Sequence, residues 1–170
     1  MNKKLIIVLT VMTLLTIFPG CGEKEEERTG APAVIIFEND FMSFSHSLNY
    51  EKAEVQGEPE NARIFTAIEG LGLFSFEMSE KSGETLKDRS EYYEKSYSDF
   101  DKDCVFEKTE DITVDGKPAK FVTFGVPEYR MAFLIIDYSE DCFVIFEFHV
   151  SEGEDTDQFN LDIIKSIKFK

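Results

Sequence analysis

The residues best equipped for chemistry are few and scattered. His46 stands in Ser43-Phe44-Ser45-His46-Ser47, where an imidazole beside serines suggests a base and its nucleophile. A serine is activated only by a base it faces. This segment alternates apolar and polar residues as a half-buried strand does, and adjacent strand residues point to opposite faces. Ser45 and Ser47 are therefore turned away from His46, and no glycine-flanked nucleophile elbow surrounds any serine here. Glu147 and His149 share a strand face at i, i+2. They supply half a metal site, too few ligands for zinc, and read as a hydrogen-bonded polar patch. Asp99, Asp101, Asp103 and Glu110 fall at positions 1, 3, 5 and 12 of a calcium loop. The sixth position, which needs glycine for its sharp turn, is Cys104, and a strand follows where a helix should. The cluster reads as a solvated helix end. No catalytic residue, metal-ligand set or cofactor site is expected.

The elements that position these residues are mostly strands. Ala33 to Phe37 is an apolar run, and Phe41 to Ser47 is the alternating strand around His46. Arg63 to Glu69 and Leu71 to Met78 flank Gly70 and Gly72 as a hairpin. After Gly83, with Ser82 or Thr85 as cap, Leu86, Tyr93, Tyr97 and Phe100 form one face of an amphipathic helix. A meander follows: Val105 to Val114, the turn Asp115-Gly116, then Ala119 to Val126, Tyr129 to Tyr138 and Cys142 to Val150. Its last two strands are apolar on both faces, as in a sheet covered on both sides. One helix cannot cover both. The second cover is expected from a C-terminal helix capped by Asp155 or Thr156 and carrying Phe159, Ile163, Ile164 and Ile167. Ser166 to Lys170 then forms an edge strand. The expected fold class is α+β, with an antiparallel β-sheet sandwiched between helices.

The first 20 residues are of a different kind. Lys3 and Lys4 precede an uncharged run from Leu5 to Phe18, 14 residues long. That is shorter than the roughly 20 residues a membrane-spanning helix needs. A basic start, a short apolar middle and a small-residue exit make a secretory signal. Phe18-Pro19-Gly20-Cys21 resembles a lipobox, the sequence at which prokaryotic lipoproteins are lipidated on cysteine and cleaved. That resemblance implies lipid on Cys21 and an extracytoplasmic domain anchored to the cell membrane. Residues 21–32 are charged and lack large apolar groups, so they read as a flexible acidic tether. Residues 33–170 remain for a single domain. Loss of residues 1–20 moves the formal charge from −16 to −18. Such an excess excludes nucleic acid as a partner and suits repulsion from like-charged surfaces.

With Cys21 used for lipid, two thiols are left. An oxidising exterior invites a Cys104–Cys142 disulfide. However, Cys104 precedes the first strand of the meander and Cys142 the fourth, at opposite ends of the sheet. An eight-residue strand separates those ends by more than ~20 Å, against a limit of about 7 Å between bridged Cα atoms. Free thiols are expected.

Three pieces are similar to the PsbP-like superfamily: the Phe41 to Tyr50 strand, the turn Val114-Asp115-Gly116-Lys117-Pro118-Ala119, and the ending Ile163-Ile164-Lys165-Ser166-Ile167-Lys168-Phe169. The resemblance implies an α/β/α sandwich. It also implies binding and assembly work rather than catalysis, since the superfamily includes a photosystem subunit, a nuclear-transport cofactor and many prokaryotic lipoproteins. No family binding residues carry over. The expected function is thus a non-enzymatic, membrane-anchored domain whose protein or peptide partner engages an edge strand or sheet face. The alternative is an envelope protein that binds a ligand or a divalent cation. Thermal melting separates the two, because a cation bound only by the native state raises its stability. The accessory-domain reading expects the same melting temperature with and without millimolar calcium, and an upward shift would support the cation.

Overall fold

The computed structural model describes residues 34–48, 50–53, 62–67, 72–100, 103–127, 129–151 and 156–170. The signal segment, Cys21, the tether, Gly70, Asp101 and Asp155 lie outside the described residues.

Strand β1 (Val34–Glu38) and strand β2 (Met42–Ser47) form an antiparallel hairpin. Its turn is held by Asn39, whose side-chain oxygen accepts the amides of Phe41 at 3.1 Å and Met42 at 2.9 Å. Strands β3 (Tyr50–Lys52), β4 (Ala62–Ala67) and β5 (Leu73–Glu80) pair in sequence. Ser82 and Gly83 then turn the chain with positive φ, and helix α1 (Leu86–Phe100) begins. Thr85 is the residue that caps it. Its hydroxyl accepts the Asp88 amide, and its own amide donates back to the Asp88 carboxylate at 2.9 Å, a reciprocal pair that satisfies two helix-end donors.

Strands β6 (Val105–Val114), β7 (Lys117–Val126), β8 (Tyr129–Asp137) and β9 (Cys142–Ser151) form the expected meander. Asp115 and Gly116, with φ of 47° and 82°, make its first turn, the twisted two-residue geometry that fits an antiparallel hairpin. Strand β9 also pairs with β5, so β3 to β9 compose one seven-stranded antiparallel sheet in the order β3-β4-β5-β9-β8-β7-β6. Helix α2 (Thr156–Ser166) and strand β10 (Lys168–Phe169) end the chain.

On one face of the large sheet α1 lays Leu86, Tyr93 and Tyr97 over Val122, Phe124, Met131, Phe133, Ile135, Phe143 and Ile145. Leu86, Tyr93 and Tyr97 do what the stripe's spacing predicts, and the Phe100 side chain lies outside the described residues. The opposite face differs from the expected helix layer. It is covered chiefly by a second sheet, of order β1-β2-β10, with α2 beside it. Met42 and Phe44 of β2 and Ile163, Ile164 and Ile167 of the C-terminal segment share one buried cluster with Phe74, Phe76, Leu134, Phe146 and Phe148. The reason is size. An eleven-residue helix is about 16 Å long, whereas seven strands span roughly 29 Å. The α/β/α sandwich is therefore corrected to helix, large sheet, and a third layer that is mainly sheet.

Aromatic rings join the two sheets. Phe44 is fully buried and meets Phe65, Phe74, Phe76 and Phe146 edge-on at centroid separations of 5.4–5.9 Å, the preferred geometry for quadrupolar rings. The chain end fastens the layers at another point. Asp115, in the β6–β7 turn, accepts the Phe169 amide at 2.8 Å and pairs with Lys168 at 2.9 Å. These partners, the amide first, hold its carboxyl below the ordinary aspartate value of 3.8. Folding thus favours the charged form. Its contribution to stability is present above about pH 4 and is lost as pH falls through the lowered native value. Asp115→Asn is expected to lower stability at neutral pH and to flatten this acid limb, as read from denaturant midpoints between about pH 5 and about pH 2.

Candidate functional site

The three-stranded sheet and α2 do not cover the whole of the face they share. Beyond α2, toward the β6 edge, a groove of about 410 Å³ remains, within the roughly 300–1,000 Å³ of ligand-binding clefts. Its floor is apolar and comes from side chains of β6, β7 and β8: Ile112, Phe121 and Ala132. Strand register places them together. Ile112 lies opposite Ala119, two residues from Phe121, and Phe121 lies opposite Leu134, two residues from Ala132, so all share one sheet face. Leu161 and Ile164 of α2 form the wall. Ile164 is buried, while Leu161 is 43% exposed at the lip.

The rim carries both signs of charge. Glu107 pairs with Arg130 at 3.4 Å and Lys108 with Glu110 at 2.8 Å. Gly125 leaves the space for this crossing, since a Cβ there would stand 3.1 Å from the Glu107 carboxylate. Within the lining, the Thr123 hydroxyl is buried and has no hydrogen-bond partner among the described residues. An unmet buried hydroxyl costs about 1–3 kcal/mol, and a group that reaches it with a donor or acceptor recovers part of that cost. The groove can thus hold apolar groups, offer one hydrogen bond and orient charges at its margin.

Apart from Glu110, which lines the groove, the described residues singled out for chemistry are elsewhere. His46 is 4% exposed and packs between the sheets, 5.0 Å from the Phe65 ring centroid. Its Nδ1–H donates to the Ser47 carbonyl at 2.9 Å. The Ser45 backbone is held from the other side by Ser166, whose Oγ accepts the Ser45 amide at 2.9 Å. His46 is a core aromatic whose Nδ1–H is satisfied locally.

Glu147 and His149 lie on the α1 face, bonded to each other at 2.6 Å, with Tyr129 stacked on the imidazole at 5.4 Å. Next to them, burial and then the Glu77 charge raise the ionisation of Tyr93 well above the usual tyrosine value. Burial, then Glu147, pushes Tyr97 up to about 12. Both phenols are neutral packing groups of α1. Of the calcium-loop residues, Asp103 is exposed and Glu110 is bound to Lys108 at the groove rim. Among the described residues no three His, Cys, Asp or Glu side chains gather as a metal site. Cys104 is buried and Cys142 half-buried, neither in a disulfide, at opposite ends of the meander by strand register.

The groove was not visible as a motif. Its residues alternate along three strands and one helix, and each looks like ordinary half-buried sheet. The one available signal was charge on the groove face of β6, where Lys108 and Glu110 interrupt the side that ends in Ile112 and Val114.

No family model matches the chain, and no curated protein matches it. Among solved structures it is similar to cyanobacterial PsbP (CyanoP) from Synechocystis sp. PCC 6803. The TM-score is 0.63 at 17% identity, over 90% of this chain and 99% of that one. The fold is therefore PsbP-like, as the sequence resemblance implied. A crystal structure from Bacteroides thetaiotaomicron VPI-5482 overlaps 76% of this chain and 45% of its own at a TM-score of 0.47 and 10% identity, too loose a likeness to bear on the fold.

The tyrosine environment has a measurable consequence. Unfolded Tyr97 ionises near the ordinary value of 10 and the folded residue near 12. The protonated form is the one the fold favours, so this contribution is whole below about pH 10 and fades as pH rises toward about 12. Tyr97→Phe is expected to remove that part of the alkaline loss of stability, seen in denaturant midpoints measured across this range.

Proposed function

We propose that this chain is a lipid-tethered, extracytoplasmic, non-enzymatic accessory domain that binds a partner protein in the groove between α2 and strands β6 to β8. The observation that carries the reading is the groove itself, with an apolar floor, an unmet hydroxyl and a charged rim. Apolar burial supplies the driving force for association, and the rim supplies orientation and exclusion of wrong partners. The signal, the lipobox-like Cys21 and the acidic tether of residues 21–32 support the address. Lipidated cysteines of this kind carry two or more acyl chains, enough for stable anchoring where one chain is marginal. The formal charge of −18 after cleavage keeps the domain off anionic lipid, so the groove is free to meet a protein. The PsbP-like fold supports binding work by analogy.

A photo-crosslinking residue at Leu161, on the groove lip, tests this against one at Tyr92, which is 60% exposed on α1. In cells making the full chain, Leu161→p-benzoylphenylalanine is expected to give a discrete protein adduct that Tyr92→p-benzoylphenylalanine does not. Cys21→Ala should move the chain to the soluble fraction and reduce that adduct. Equal adducts at both positions, or none at Leu161, would remove the groove as the binding site.

A further inference from the structure

The groove borders a free strand edge, and the backbone there specifies what it can take. Strand β6 is the outer strand of the large sheet, and no described strand pairs with its far side. The two-residue turn at Asp115-Gly116 makes Val114 and Lys117 a hydrogen-bonded pair, because the i to i+3 bond of the turn joins them. Antiparallel pairs then alternate between bonded and non-bonded along the strand. Ile112–Ala119 and Glu110–Phe121 are bonded pairs, while Thr113–Pro118, Asp111–Lys120 and Thr109–Val122 are not. Proline opposite Thr113 agrees with this phase, since it has no N–H to give. The peptide groups of Thr109, Asp111 and Thr113 therefore point outward, away from β7.

Edges of this kind are usually blunted by bulges and charges. Here the register shift lies between Phe106 and Lys108, at one end, so Thr109 to Thr113 remain regular. Two of the three outward-facing residues have side chains engaged within the fold. Thr109 donates to Glu94 of α1 at 2.6 Å, and Asp111 pairs with Lys120 at 2.7 Å. The intervening side chains, Lys108, Glu110 and Ile112, belong to the groove.

Resting on the groove reading above, we infer that the partner is engaged as an extended peptide strand added to β6. Its backbone pairs with Thr109, Asp111 and Thr113, and alternate apolar side chains turn over Ile112 and Phe121 into the groove. Strand addition of this type draws affinity from main-chain bonds and specificity from every second side chain. The charge balance sets the rest of its chemistry. The acids of β6 are each paired, Glu107 with Arg130, Glu110 with Lys108 and Asp111 with Lys120, so it is the formal charge of −16 on the whole chain that favours an incoming strand with lysine or arginine between its apolar residues.

The test uses a displayed library of random twelve-residue peptides selected on the full-length domain with Cys21→Ala. Amide exchange and chemical shifts then follow a selected peptide made synthetically. Strand addition is expected to enrich alternating apolar sequences with basic residues, to slow exchange at the Thr109, Asp111 and Thr113 amides, and to shift Phe121 and Leu161. Asp111→Pro removes one outward N–H at a position where an edge strand tolerates proline, and should weaken binding about tenfold. Because that variant could itself disturb the strand, the same loss should follow when the peptide facing the intact domain is N-methylated at alternate amides. Selected peptides that shift Phe121 and Leu161 but leave the three amides unprotected, with full affinity for Asp111→Pro, would overturn strand addition and keep the groove. Enrichment of no peptide, or of peptides that shift neither β6 nor the groove, would overturn both.

Discussion

Strands β8 and β9 are apolar on both faces, and the rest of the molecule is arranged to keep both from water. Leu134, Ile136, Phe146 and Phe148 face one way and Phe133, Ile135, Phe143 and Ile145 the other, all within a few percent of full burial. Burying one such side chain is worth about 1.5–3 kcal/mol, so neither face can be left open. A single fifteen-residue helix covers one. The other needs more area than any remaining helix offers, and a second sheet provides it. The groove is the margin that the small sheet and α2 leave uncovered, above strands β6 to β8 where the floor is apolar and the rim charged.

The same constraint explains where the chemically capable residues went. His46 is drawn into the aromatic contact between the sheets because it alternates with Met42 and Phe44 on β2, and all three are buried. Glu147 and His149 satisfy each other at the edge of α1. Lys117 lies 5.0 Å from the Tyr138 centroid and 5.5 Å from that of Phe169, and its ammonium donates to the Tyr138 carbonyl at 2.8 Å. With Asp115 it ties the chain end to the large sheet. These polar groups serve the joints between layers, where an unpaired one would be costly. What is left for a partner is backbone along β6 and an unmet hydroxyl in the groove.

Much of this was legible beforehand, for reasons that differ by element. The helix stripe of Leu86, Tyr93 and Tyr97 was readable because a 3.6-residue period survives in sequence whatever the helix packs on. The Asp115-Gly116 turn was readable because few residue pairs accept two positive φ angles in succession. The two-faced strands implied two covers, and the C-terminal isoleucines were correctly given to the second. Strand β3 was not anticipated: Tyr50–Lys52 has only three residues, too few for a period. Nor was the separate sheet. The alternation along Phe41 to Ser47 says that one face is buried, and it does not say against which sheet.

By itself, the sequence determined most of the elements, their phases and the excess of negative charge. Each of those depends on residues near one another in the chain or on charge summed over all of them. Only the tertiary structure decided that β1, β2 and β10 form their own layer, that His46 is core, and that a groove opens beside an edge that no described strand covers. Those outcomes turn on how the widths and lengths of packed elements compare, and on strand pairings such as Lys168 with Ser43, which are 125 positions apart. Local patterning carries no information about either.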